Sequence, residues 1–221
     1  MPSDQAVDLP EGVGFVQGAC LGIPGIRAHR AVFGDGPVEG RTVLVRGGLG
    51  AVSGAAIALA RRGGAQVLAT VRAESEVALA AGTRADHVLV QSAPDFVRQF
   101  SSGRRAVGST ASSRWPSMPT FAPTAMSSPW AGPIAAYSTL QADPAIPFWP
   151  LLFKNVTVRL LGSDDFPLDA KLAAARDITA VASELEFPIA GRFPLEDIVQ
   201  AHLALEAPSR GSPGRVVLDI G

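Results

Sequence analysis

The chain has 221 residues, 47% hydrophobic and 18% charged, a make-up that buries a core and excludes disorder of the whole. Lys and Arg number 19 against 20 Asp and Glu, a net charge of −1, so no long-range field recruits nucleic acid or an anionic membrane surface. A single cysteine, Cys20, excludes an internal disulfide or a several-thiolate zinc site, and with no basic or apolar leader in "MPSDQAVDLPEG" and no membrane-length apolar run the expected location is cytoplasmic.

The first ordered signal is "RTVLVRGGLGAVSGAAIALARRGGAQVLATVRAESEVALAAGTRADHVLV". Thr42–Val45 is a short apolar and β-branched run of the kind a buried parallel strand needs, and Gly47, Gly48 and Gly50 interrupt it. Ala51–Arg62, rich in Ala and Leu, predicts a helix that stops at Gly63 and Gly64. A second strand is predicted at Gln66–Val71, a second helix over residues 74–81 and a third strand at His87–Val90. In outline this is a right-handed βαβαβ unit.

In such a unit the glycine turn faces the C-terminal edge of the sheet, where backbone N–H groups and the positive end of a helix receive a pyrophosphate. Gly47 makes the tight turn and Gly50 lets the backbone approach the phosphates. Ser53 stands at the third position, where a glycine would allow close packing of helix on strand. An ordinary strand-to-helix loop is the bland alternative, but strand, turn, helix and second strand in order favour a dinucleotide site. The end of the second strand selects the cofactor. An acid there bonds the ribose of NAD, and a basic or hydroxyl residue accepts a 2′-phosphate. Thr70 and Arg72 point to NADP, while Glu74 and Glu76 just beyond would repel a phosphate if turned inward.

Residues 101–133, "SSGRRAVGSTASSRWPSMPTFAPTAMSSPWAGP", carry no pattern; five prolines and eight serines speak against a central strand there. Pattern resumes with strands over residues 134–137 and 156–161, separated by a loop marked by Pro144, Pro147 and Pro150. A long helix follows over 168–185, with Leu172, Ile178 and Val181 at helical spacing. "FPLEDIVQAHLALEAP" predicts a helix entered by Pro194, and "GRVVLDIG" a closing strand. His29, His87 and His202 are scattered among helix and strand segments and read as structural, so no catalytic residue is assigned. No metal site is expected. The fold class is α/β, a Rossmann-type doubly wound parallel sheet interrupted by an irregular segment at 101–133.

The stretches "GACLGIPGIRAHRAVF", "VLVRGGLGAVSGAAIALARRGGAQVLATV", "LLFKNVTVRLLG" and "GRFPLEDIVQAHLALE" with "GRVVLDI" resemble the zinc-independent quinone oxidoreductase branch of the medium-chain dehydrogenase/reductase superfamily. The resemblance implies an NADPH-binding Rossmann domain at 41–221 that delivers hydride to quinones or other electron-poor enones. By position it implies Gly47, Gly50, Ala51 and Val52 at the pyrophosphate and Thr70 with Arg72 at the 2′-phosphate. It places Tyr137 and Ser138 near the nicotinamide half, and Phe153 and Asn155 near the cofactor edge. It also implies a homodimer through the strand at 156–161.

The departures from that family are expectations too. Its members begin with a GroES-like substrate domain, and here residues 1–40 resemble only the end of that domain and the interdomain helix. The resemblance thus implies a truncated fragment with impaired or no activity, or else a non-catalytic nucleotide-binding or dimerisation module. Ser53, Arg27 and Glu76 replace a glycine, a small hydroxyl residue and a lysine common in the family, each expected to weaken cofactor contact. Residues 104–133 fall where the family has its fourth strand, a helix and a Gly-Gly turn. Written with GC-rich codons and shifted by two bases, "STASSRWPS" at 109–117 becomes "DRIVEVAF", and the continuation permits "DANLRPDCHVVALGGS", rejoining "IAAY" in register. The segment therefore reads as a family strand and helix translated out of frame between two compensating frameshifts, with an exposed linker as the bland alternative.

Overall fold

The structure, a computed structural model, describes residues 6–94, 132–137, 145–162, 166–206 and 214–220, and the backbone alone of 106–111. Its centre is β1, Thr42–Val45, buried at every position. Two short helical elements precede it, α1 (Phe15–Gly18) and α2 (Gly22–Phe33). After β1 come α3 (Ala51–Arg62), β2 (Gln66–Val71), a 3-10 turn at Glu74–Glu76, α4 (Val77–Ala80) and β3 (His87–Val90). The second half supplies β4 (Ala106–Ala111), β5 (Ile134–Ala136), α5 (Phe148–Phe153), β6 (Val158–Leu160) and α6 (Leu168–Val181). Last come β7 (Ile189–Pro194), α7 (Ile198–Glu206) and β8 (Arg215–Asp219).

Strands β1 to β6 form one sheet in the order β3-β2-β1-β4-β5-β6, with every pairing parallel. The order reverses between β1 and β4. That is the doubly wound topology expected from the sequence, with its ligand crevice at the reversal. Alternation along the strands assigns the two faces. Val43, Val45, Val67 and Ala69 join the large core cluster with Ala56, Ile57, Leu59, Ile178 and Val181, so α2, α3 and α6 cover that face. Leu44, Leu68 and Leu89 form a smaller cluster on the opposite face. Ile57 is fully buried, and a side chain of its size contributes about 1.5–3 kcal/mol through its burial.

Four expectations change. First, the stretch read as unable to hold a strand supplies β4 at Ala106–Ala111, paired with β1 on one side and β5 on the other. The reason is non-local: a central strand with an open edge offers a row of N–H and C=O groups that any non-proline segment can satisfy. The pairing is irregular, with a register shift between Thr42 and Leu44. The remainder of the reading at 104–133 falls mostly outside the described residues. Second, the helix expected over 74–81 is two 3-10 turns flanking the single α-turn of α4. Third, β8 does not extend the main sheet. It pairs in parallel with β7, an element the sequence reading had passed over, in a separate two-stranded sheet. Fourth, the strands expected at 134–137 and 156–161 are shorter, and α6 yields at Ala182–Glu184 to a 3-10 turn.

No helix among the described residues is long and apolar enough to cross a membrane. His29 lies between helices, its Nε2 2.8 Å from Asp177 Oδ2 of α6 and its ring 5.0 Å from that of Phe33. His87 and His202 are exposed. The structural reading of His29 rests on this inter-helix contact.

Asp86 clamps the β2–β3 edge. Its Oδ2 accepts the Val67 N–H at 2.7 Å, its own N–H donates to the Val67 carbonyl at 2.9 Å, and Arg61 donates to Oδ1 at 2.6 Å. Burial alone would raise the carboxyl pKa, but the Val67 N–H and the Arg61 guanidinium, helped by His87, hold it below the usual carboxylate range. Because the folded value is depressed, the stabilisation is complete above the unfolded value of about 4 and is lost as pH falls through the folded value. Asp86→Asn is therefore expected to lower the urea midpoint at neutral pH and to flatten its decline below about pH 4. An unaltered midpoint-against-pH curve would show that Asp86 has no such role.

Candidate cofactor site

The turn between β1 and α3 lies at the C-terminal edge of the sheet. Gly47 has φ of +72°, a left-handed conformation that side-chain-bearing residues adopt only with strain. Gly48 presses against β2: a Cβ there would come within 3.2 Å of the Ala69 Cβ and 3.5 Å of the Thr70 carbonyl oxygen. The Gly48 N–H donates to that carbonyl at 2.8 Å, and the Gly47 N–H donates to Thr70 Oγ1 at 3.2 Å. The Gly50 N–H closes the turn on the Gly47 carbonyl at 2.9 Å. The glycines thus spend their amides on shaping the turn.

The donors that face outward come next in the chain. No side chain caps α3, whose N-cap is Gly50, and the N–H groups of its first residues have no carbonyl one turn back. Ala51 and Val52 supply these groups, both half-exposed, at the positive end of a helix of 12 residues. This is an anion cradle at a topological switch point, and its chemistry fits a pyrophosphate.

Ser53, expected to loosen the site, is fully buried, and its hydroxyl donates to the Arg46 carbonyl at 3.0 Å. It ties the first turn of α3 to the end of β1 where a glycine would merely allow close approach.

Thr70 differs from expectation. It is fully buried, with its hydroxyl accepting from Gly47 and from the Gln91 amide, so it supports the turn from below instead of facing a phosphate. The cause is the period of the strand. Thr70 follows Leu68 on one face of β2, and on that face Leu44, Leu68 and Leu89 are overlaid by Arg46, Thr70 and Gln91. Arg46 donates to Gln91 Oε1 at 3.2 Å, and burial pushes its pKa down to about 10, leaving it charged at neutral pH. Sequence reasoning passed over Arg46 and Gln91. Their signal is positional, each being the first polar residue after an apolar strand.

Arg72 stands exposed just past β2, as expected, but with a partner. Glu76 accepts from the Arg72 N–H at 2.8 Å through Oε2 and from its Nε at 2.8 Å through Oε1. Tyr137 follows β5 and so shares the C-terminal edge with the turn; it is half-buried against Ala31, Ala135 and Leu161. Ser138 lies outside the described residues. Phe153 and Asn155 do not join the site. They precede β6, and in a parallel sheet residues before a strand lie at the N-terminal edge, opposite the glycine turn. Phe153 stacks on Trp149 with ring centroids 5.9 Å apart, and Asn155 takes φ of +51° in the turn that ends α5. Among the described residues no group of three His, Cys, Asp or Glu side chains forms a metal site.

No family model matches the chain. Curated proteins do: the quinone oxidoreductase of Pongo abelii is 45% identical over 67 residues, and that of Homo sapiens 43% over 67 residues. Over that stretch the chain is similar to the quinone oxidoreductases. The match spans 30% of this chain and 20% of each of those proteins. The fold agrees over a much longer stretch. An Escherichia coli quinone oxidoreductase solved with NADPH superposes with a TM-score of 0.79, covering 99% of this chain and 69% of that one at 19% identity. An NAD-dependent alcohol dehydrogenase superposes equally well, at 0.79, over 100% of this chain and 63% of that one, with 23% identity. At such identities the superpositions establish the Rossmann fold.

Thr70→Val keeps the shape and removes the acceptor for Gly47 and Gln91. Urea unfolding is expected to show a loss of about 1–3 kcal/mol, with Thr70→Ser closer to wild type. Equal stability of Thr70→Val and wild type would mean that the hydroxyl does not hold the turn.

Proposed function

We propose that this chain binds NADPH across the β1–β4 crevice and serves, within a quinone oxidoreductase, to present the cofactor's hydride to a quinone or enone. The observation that carries the reading is the uncapped N-terminus of α3, with Ala51 and Val52 offering amides above a turn braced by Gly47 and Gly50. In this proposal Ala51 and Val52 hold the pyrophosphate, Arg72 borders the adenosine ribose, and Tyr137 lies towards the nicotinamide half. Bound NADPH supplies the hydride. This chain supplies the floor on which the cofactor is oriented, and a cytoplasmic location is part of the proposal. Fluorescence titration with NADPH, followed by a quinone turnover assay, tests it. Saturable binding is the expected result, with turnover impaired as the resemblance implies, and absence of NADPH binding would overturn it.

A second reading, a nucleotide-binding or dimerisation module without turnover, draws support from the surface beside β6. Phe148, Trp149 and Phe153 are about two-thirds exposed, and Leu160 on the edge strand itself is 71% exposed. In the described structure β6 pairs only with β5. An open edge next to apolar surface suits pairing with a second copy about a two-fold axis. Analytical ultracentrifugation is expected to show a wild-type dimer and a monomer for Leu160→Lys; a monomeric wild type would remove this reading.

A further inference from the structure

We propose that Glu76 sets the cofactor preference of this chain by competing with a 2′-phosphate for Arg72. The inference rests on the dinucleotide reading above and concerns a residue that reading leaves without a role. Arg72 is the basic group just past β2, where the adenosine ribose is read. Its backbone N–H and its Nε are both held by one carboxylate, each at 2.8 Å. The arrangement is local and built in: a 3-10 turn at Glu74–Glu76 carries the carboxylate back to the strand end, in an i, i+4 pair. The Glu76 side chain is 18% exposed against 57% for Arg72, so the acid is the more enclosed partner.

Such a pair treats the two nicotinamide cofactors differently. A ribose hydroxyl donates to a carboxylate, so NADH meets an acceptor already in place. A 2′-phosphate brings close to two negative charges and must approach Arg72 beside the Glu76 carboxylate. It either draws the guanidinium away from Glu76 or tolerates a like charge at close range. In water each unit-charge repulsion at 4 Å is worth about 1 kcal/mol, and in salt about one such repulsion remains. Discrimination in favour of NADPH is therefore reduced about fivefold relative to an unopposed arginine. Glu74, two residues earlier and exposed, carries the same charge without the bonds to Arg72.

Calorimetric titration of NADH and NADPH into wild type, Glu76→Gln and Glu74→Gln tests the assignment. Wild type is expected to bind both, preferring NADPH by less than about tenfold, and Glu76→Gln to raise the NADPH-to-NADH affinity ratio about fivefold. Glu74→Gln is expected to leave the ratio within about twofold. Glu76→Ser removes the same carboxylate while suiting a turn, and repeats the test should the glutamine variant fold poorly. A ratio unmoved by either Glu76 variant, or moved equally by Glu74→Gln, would overturn the proposal while leaving the dinucleotide site standing. Failure of wild type to bind either cofactor would instead remove the dinucleotide reading, and this inference with it.

Discussion

Everything in this molecule depends on β1 having a hydrogen-bonding partner along both edges. A four-residue strand buried on both faces cannot leave its N–H and C=O groups to water, so each edge must be paired. β2 meets one edge in unbroken register, and β4 meets the other with a shift between Thr42 and Leu44. Because β2 leads away in one direction and β4 in the other, the sheet reverses there and a crevice opens at its C-terminal edge. The glycine turn sits beside that crevice only because β1 is central. A protein in which β4 failed to seat would lose the crevice together with the strand.

The turn itself divides labour between shaping and binding. Gly47, Gly48 and Gly50 use their amides internally, two of them on Thr70, so the groups left for an anion are those opening α3. Under the turn, Arg46, Gln91 and Thr70 knit the ends of three strands on the face opposite the main helix layer. On the near side Ser53 ties helix to strand. The site is thus braced from two sides before any ligand arrives, which reduces the entropy that binding must offset.

The first half of the fold was legible because its signals are local. The apolar run of β1, the left-handed Gly47, the alanine-rich α3 and the glycines after it each announce their structure within a few residues. What escaped was decided elsewhere. β4 was missed because Ala106–Ala111 has little strand character of its own and is drafted by its neighbours. β7 was missed because Gly191 and Pro194 mask the inward alternation of Ile189, Gly191 and Phe193. Phe153 and Asn155 were assigned to the cofactor edge by resemblance alone, although their place just before a parallel strand puts them at the opposite edge of the sheet. Thr70 was assigned to a phosphate by its chemistry, whereas the period of β2 turned it under the glycines. The Glu76 clamp on Arg72 was half visible: its charge was evident, its bond to the strand end was not.

The pairing order carries a consequence for the chain as it is made. β1, β2 and β3 are joined by short connections and can assemble as soon as residue 90 has emerged from the ribosome, each strand meeting one already present. The far edge of β1 must then wait for residues 106–111, and β7 must wait for β8 at the very end of the chain. During synthesis there is an interval when the nascent protein offers a half-built sheet with an open central edge. Pausing after residue 90 would leave that half with β1 unpaired along one edge and adhesive to any strand passing by.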